Sequence, residues 1–132
     1  MKKTLLWLDD MRNPYISGWL MEYAPEFDED RDNVVWIKDY NTFIAYIEKV
    51  GLPYMIAFDH DLGKEITQPN GKLSLNFSSK YKTGLDCAKW LIDYCIDNLL
   101  PLPKYVCQSA NPVGVENIMS LLTNFERLRE DI

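Results

Sequence analysis

The sequence has a single histidine, no long apolar run and no excess of positive charge, and each shortage excludes a class of protein. Lysine and arginine number 14 against 20 aspartates and glutamates, which gives a net charge of −6. A protein that binds the phosphates of a long nucleic-acid duplex needs positive charge. The apolar stretches are too short for a membrane span or a signal-peptide core. We therefore expect a cytoplasmic protein without a membrane or duplex partner.

Cysteine is also scarce. Cys87, Cys95 and Cys107 are odd in number and lack the spacing of a zinc site. Each lies within an apolar pattern, so we expect buried free thiols rather than disulfides or metal ligands. The 132 residues are one domain's length, and we assign residues 1–132 to a single domain.

Four short apolar runs do not alternate with polar residues, which is typical of strands buried on both faces of a parallel sheet. They are Leu5–Leu8, Val34–Ile37, Tyr54–Phe58 and Tyr105–Cys107. Helical patterns separate and follow them, so the fold class predicted is α/β. We expect a small doubly wound, flavodoxin-like parallel sheet with four strands in the order 2-1-3-4.

Three helices have clear apolar spacing and end signals. The first runs from Tyr40 to Val50 before Gly51, the second has Thr83 as its N-cap with Asp86 in a capping box, and the third follows Asn111 and Pro112. Their apolar positions are Tyr40, Phe43, Ile47 and Val50; Leu85, Ala88, Ile92, Cys95 and Leu99; and Val115, Ile118, Leu122 and Phe125.

Two segments are open to different interpretations. Residues 16–23 form either a short helix interrupted by Gly18 or a loop. The polar segment 64–82 is either a lid over a site or a tolerated surface insertion.

Polar side chains follow the predicted strands where each strand ends. Asp9 and Asp10 follow the first strand, and Asp59-His60-Asp61 follow the third. The carboxyl ends of parallel strands meet at one edge of the sheet, so these acids should meet in space. Crowded carboxylates raise one another's pKa, and the cluster either keeps protons or recruits a cation. For an all-oxygen site the preferred cation is Mg²⁺, with Mn²⁺ as the alternative.

Groups suited to an anion are expected at the same edge. Ser109 and Asn111 lie where the fourth strand turns into a helix, whose backbone amides can hold a phosphate. Arg12 can add a bidentate contact. Each feature taken singly has a simpler explanation, since the aspartates, Ser109 and Asn111 can be loop or helix caps and a lone histidine is often structural. Their convergence at one sheet edge favours a site.

These residues also resemble a known family. Paired acids after strand one, an aspartate after strand three and a serine after strand four resemble the receiver domain of response regulators. That resemblance implies that Asp9, Asp10 and Asp59 hold magnesium together with the backbone carbonyl of Asp61. It also implies that Asp59 accepts a phosphoryl group contacted by Ser109. The fifth strand of a receiver, with its lysine, has no counterpart, and Lys104 precedes its strand.

A closer resemblance is to the cyclic-phosphate processing receiver domain. Four motifs are similar to that family's in order: WLDDMRNP (7–14), AFDHDLG (57–63), TGLDCAKWLID (83–93) and QSANPVGVENI (108–118). The family usually has a histidine where this chain has Gln108. The resemblance implies a metal-dependent phosphoesterase that hydrolyses or opens a cyclic phosphate on a nucleotide, a nucleotide-derived metabolite or an RNA end.

In that interpretation His60 transfers a proton and Asp59 either binds the metal or attacks phosphorus directly. Two alternatives remain at this stage. One is a non-catalytic receiver-like module that binds a phosphorylated ligand or a partner protein. The other is a haloacid-dehalogenase-like phosphatase, suggested by Asp-x-Asp at 59–61, although that family has its motif after the first strand.

Overall fold

A computed structural model of the chain describes residues 3–28, 30–62 and 82–130. It contains β1 (Thr4–Leu8), α1 (Trp19–Tyr23), β2 (Asn33–Ile37), α2 (Tyr40–Val50), β3 (Met55–Phe58), α3 (Gly84–Asp97), β4 (Lys104–Cys107) and α4 (Pro112–Glu130). The segment 64–82, with its two interpretations as lid or insertion, lies outside the described residues apart from Lys82.

The four strands form one parallel sheet in the order β2-β1-β3-β4. Leu8 at the end of β1 is in register with Ile37 on one side and Phe58 on the other, and Phe58 is in register with Cys107. All four strands therefore end at the same level. The predicted fold class and strand order are confirmed, and the residues that follow the strands share one edge.

The sheet is buried on both faces, which explains why its strands lack polar alternation. The larger core lies under α2, α3 and α4 and contains Leu6, Leu8, Ile56 and Phe58. The smaller core contains Leu5, Trp7 and Ala57 and is covered by Ala24 and Phe27 with part of α1. Over the part of the chain described, no helix is both long and apolar enough to cross a bilayer.

The helix ends follow the sequence signals closely. Asp39 caps α2, and Gly51 ends it with a φ of 103°. Thr83 and Asp86 form the predicted capping box of α3. Asn111 accepts a hydrogen bond from the amide of Gly114 at 3.1 Å, as an N-cap side chain does.

Two boundaries differ from the sequence patterns because the backbone turns left-handed there. Residues 16–23 were open to interpretation as a helix or a loop. Ser17 and Gly18 have φ values of 61° and 71°, and a short helix begins only at Trp19. Helix α3 ends at Asp97 rather than Leu99, and Leu99 has a φ of 54°. The three cysteines are free thiols, with Cys87 and Cys95 buried and Cys107 partly buried.

Leu99 provides a test of this helix end. The residue is 87% exposed, so it contributes little packing, and its left-handed backbone is costly for a residue with a Cβ. We expect Leu99→Gly to raise the free energy of unfolding by about 1 kcal/mol in urea titrations. Leu99→Ala is the control, because it removes the exposed side chain and keeps the Cβ. Equal stability of the two variants would contradict the explanation.

Candidate functional site

Three aspartates meet at the carboxyl edge of the sheet. Asp9 and Asp10 follow β1, and Asp59 follows β3, where its amide donates to the carbonyl of Leu8 at 2.9 Å. One carboxylate oxygen from each lies within 4.8 Å of the other two. Asp9 is only 1% exposed and Asp59 9%. The predicted convergence of the β1 and β3 acids is thus present in the structure.

The loop after β1 holds Asp9 in one orientation. Its Oδ1 accepts hydrogen bonds from the amides of Met11 at 2.9 Å and Arg12 at 2.8 Å. Its backbone carbonyl accepts from the indole of Trp36 at 2.7 Å. The other carboxylate oxygen, Oδ2, is buried and has no hydrogen-bond partner among the described residues. A buried carboxylate oxygen is stable only with a donor or a cation, so Oδ2 suits a metal ligand.

Asp59 is electrostatically strained. Burial, together with the nearby Asp9 carboxylate, raises its pKa from 3.8 to about 6, and Asp10 and Asp61 act in the same direction. A hydrogen bond from the Ser109 hydroxyl opposes the rise. Near neutral pH the site is therefore poised to take up a proton or a cation.

The residues fit a hard divalent cation. All three carboxylates offer oxygen, the donor type that Mg²⁺ and Mn²⁺ prefer. A cavity of about 430 Å³ lies over them, and Met11, Arg12, Asp61 and Ala110 complete its lining. That volume is within the range of small-ligand sites.

Among the described residues that line this cavity, Arg12 carries the positive charge. Its guanidinium donates to the backbone carbonyl of Gln108 and lies 4.6 Å from the centre of the Trp19 ring. Its own carbonyl accepts from the Trp7 indole at 2.9 Å. Arg12 is thus held at the edge of the acidic cluster, where a phosphate contact was predicted.

Ser109 and Asn111 are already engaged within the protein. The Ser109 hydroxyl bonds Asp59 and accepts from the Asn111 amide at 3.1 Å. The Asn111 side chain caps α4 through its oxygen, and its nitrogen donates to Asp61 at 3.4 Å. Both residues lie at the predicted edge. Their contact with a phosphate remains a prediction.

His60 and Asp61 form a pair. The distance from His60 Nδ1 to Asp61 Oδ1 is 2.9 Å, and the Asp61 side chain is 67% exposed. The close group of carboxylates consists of Asp9, Asp10 and Asp59. The structure therefore directs the Asp61 carboxylate toward His60. Metal binding by the backbone carbonyl of Asp61 remains a prediction.

Two glycines that the sequence reasoning did not single out shape this loop. Gly84 at the start of α3 donates its amide to the His60 carbonyl at 2.7 Å, and a Cβ there would lie 1.8 Å from the Asp59 carbonyl oxygen. A Cβ at Gly114 would lie 2.4 Å from His60 Cγ. The available signal was weak: each is a glycine in the first turn of a helix, where glycine is unfavourable.

Gln108 occupies the position where the resemblance leads one to expect histidine. Its side chain is fully buried, and Nε2 donates to the Leu8 carbonyl at 2.9 Å and, more weakly, to that of Ala57 at 3.5 Å. Gln108 thus ties the ends of three strands together beneath the site. Lys104 lies at the opposite end of β4 and pairs with Glu26 at 3.7 Å.

Comparison with known proteins agrees with this geometry. The family model described as the cyclic-phosphate processing receiver domain matches residues 4–124. The chain belongs to this family. Among solved structures, this receiver domain is similar to the signal receiver domain of a protein named as a Luxo repressor from Vibrio parahaemolyticus. The TM-score is 0.53 at 14% identity, over 99% of this chain and 87% of that one.

At that identity the solved structure supports the fold of the receiver domain and nothing further. Among curated proteins, none is a significant match to the sequence. The family gives the haloacid-dehalogenase alternative no support, and Asp59 and Asp61 follow the third strand rather than the first.

Proposed function

We propose that this receiver domain binds Mg²⁺ or Mn²⁺ through Asp9, Asp10 and Asp59 and hydrolyses or opens a cyclic phosphate. The substrate would be a nucleotide, a nucleotide-derived metabolite or an RNA end. The observation that carries the proposal is Asp9 Oδ2, which is buried and has no hydrogen-bond partner among the described residues. It belongs to a group of three carboxylates under a cavity. The family name points to the same substrate class.

Each residue has a part in the proposed reaction. The cation, when bound, polarises a phosphoryl oxygen and orients water. Arg12 attracts the phosphate through its positive charge, and Ser109 and Asn111 contact it in place of their present hydrogen bonds within the protein. His60 takes a proton from the attacking water and passes it to the alkoxide released when one P–O ester bond of the ring breaks.

A variant of this scheme uses Asp59 as the nucleophile. One of its carboxylate oxygens bonds phosphorus, the ring P–O bond breaks, and His60 protonates the leaving alkoxide. Water later hydrolyses the aspartyl phosphate and returns a proton to His60. Both schemes need Asp59 ionised. At neutral pH the raised pKa of Asp59 leaves a fraction of it protonated in the absence of a cation.

Phosphorus NMR tests the proposal directly. The protein is incubated with Mg²⁺ and a panel of 2′,3′-cyclic nucleotides, 3′,5′-cyclic nucleotides and cyclic dinucleotides. We expect a new phosphomonoester or opened-diester resonance with at least one substrate, absent with EDTA and reduced by roughly 10³-fold in Asp59→Asn. Asp93→Asn on the exposed face of α3 makes the same charge change away from the site and should keep full turnover. Full turnover in Asp59→Asn would contradict the scheme.

A non-catalytic phosphate-binding module is the second candidate, and the contacts of the site give it specific support. The polar atoms of Ser109 and Asn111 bond the protein itself, and the His60 ring packs on Gly114 outside the lining of the cavity. In the same experiment this candidate predicts saturable line broadening of a cyclic phosphate without any product resonance.

A further inference from the structure

The His60 ring is held by contacts on two sides. Asp61 Oδ1 lies 2.9 Å from Nδ1, and Asn111 Nδ2 lies 3.4 Å from the same Asp61 oxygen. Asn111 is itself fixed as the cap of α4. A chain of contacts therefore runs from the start of α4 through Asp61 to one defined ring nitrogen.

Gly114 supplies the space on the other side. A Cβ at this position would lie 2.4, 2.6 and 2.8 Å from His60 Cγ, Cβ and Cδ2. The imidazole thus rests directly against the backbone of the first turn of α4, and the His60 side chain is only 17% exposed. The ring keeps this placement only if residue 114 is glycine.

We propose that Asp61, Asn111 and Gly114 are positioning residues that orient the His60 ring so that Nδ1 donates to Asp61 and Nε2 is turned away from it. An ionised carboxylate only accepts hydrogen bonds, so Nδ1 carries the hydrogen of this contact and Nε2 is the ring nitrogen left for another partner. No described residue forms a hydrogen bond to Nε2. Nε2 is then the atom that exchanges a proton with the substrate, an inference that rests on the proposed function of His60.

The inference can be tested without measuring activity, because His60 is the only histidine in the chain. A two-bond ¹H–¹⁵N correlation spectrum of the labelled protein at pH 8 shows one imidazole and needs no assignment. We expect an Nδ1 shift typical of a protonated nitrogen and an Nε2 shift typical of an unprotonated one. In Asp61→Ala the proton should move mainly to Nε2, whereas Asp61→Asn, whose amide oxygen still accepts, should largely keep the wild-type pattern.

Gly114→Ala provides a second, independent arm. The added methyl group should displace the ring, change its ring-carbon proton shifts and abolish its nuclear Overhauser contacts with residue 114. Amide spectra of the remaining residues confirm that each variant is folded. Asp93→Ala, an exposed acid on α3, is the control for charge and should leave the imidazole spectrum unchanged.

The two proposals fail in different measurements. An Nε2-protonated wild-type ring, or an unchanged tautomer in Asp61→Ala, overturns the positioning inference whatever the activity. Absence of turnover by the wild-type protein overturns the proposed function and leaves the imidazole spectrum as it is. If both proposals hold, Asp61→Ala lowers the rate of the phosphorus assay on the order of tenfold, and Asp61→Asn restores most of it.

Discussion

Replacing Asp59 with asparagine is expected to stabilise the metal-free protein at pH 7.5, although the same change removes the proposed activity. In the folded protein the pKa of Asp59 is raised from 3.8 to about 6 by burial and by Asp9. The ionised carboxylate is therefore less favourable in the folded chain than in the unfolded one. Asparagine has nearly the same shape and no charge. We expect the free energy of unfolding to rise by about 2 kcal/mol.

The raised pKa of Asp59 also determines how the stability of the wild-type protein changes with pH. Between pH 3.8 and about 6, folded Asp59 holds its proton while the unfolded chain has already lost it. The folded state then binds more protons, so stability falls as pH rises through this window. The difference between Asp59→Asn and wild type should be small near pH 4 and complete by pH 7.5. Urea titrations in EDTA at several pH values measure it.

A divalent cation should reverse the order of stabilities. A ligand that binds only the folded state stabilises it. The gain in free energy of unfolding grows with the logarithm of the ratio of ligand concentration to Kd. Millimolar Mg²⁺ is expected to stabilise the wild-type protein and to leave Asp59→Asn unchanged. Asp93→Asn should respond to Mg²⁺ as the wild type does. If Asp59→Asn is less stable than the wild type in EDTA, the ionised Asp59 carboxylate does not destabilise the folded protein.

The sheet and its acidic edge could be predicted because they depend on simple regularities. Unbroken apolar runs mark buried parallel strands, and a parallel sheet brings the residues that follow its strands to one edge. The meeting of Asp9, Asp10 and Asp59 follows from strand order alone. No knowledge of the loops was needed for it.

What the sequence could not predict depends on loop geometry. Asp61 is two residues beyond Asp59, yet its carboxylate bonds His60 instead of joining the other acids. That direction is set by the backbone of a loop packed against the first turns of α3 and α4. The burial of Gln108 beneath the site has the same origin, since it depends on which way the chain leaves β4.

The largest loss of stability is expected from Gly84→Ala. The new Cβ would lie 1.8 Å from the carbonyl oxygen of Asp59 and 2.8 Å from its carbonyl carbon. These are backbone atoms, so no side-chain rotation can relieve the contact. Either α3 moves away or the Asp59–His60 peptide rotates, and both changes weaken the 2.7 Å hydrogen bond from Gly84 to the His60 carbonyl. We expect a loss of about 3 kcal/mol in the free energy of unfolding.

Gly18→Ala is the matched control for this prediction. Gly18 has a left-handed φ of 71°, and a Cβ there would meet no atom within 4 Å. Its replacement should therefore cost only the backbone strain of alanine, about 1 kcal/mol. Urea titrations of the two variants separate the steric effect at residue 84 from the conformational one at residue 18.

Gly84→Ala also tests whether the packing of α3 holds the acidic cluster in place. The Asp59 carbonyl and the Asp59 carboxylate belong to one residue, so a displaced peptide also displaces a proposed metal ligand. We expect the Gly84→Ala protein that remains folded at low temperature to bind Mn²⁺ at least tenfold more weakly, measured by water proton relaxation, whereas Gly18→Ala binds it normally. Unchanged Mn²⁺ binding in a destabilised Gly84→Ala protein would mean that α3 moves away and the Asp59 loop keeps its position. The rigidity of the acidic cluster would then come from β1 and β3 alone.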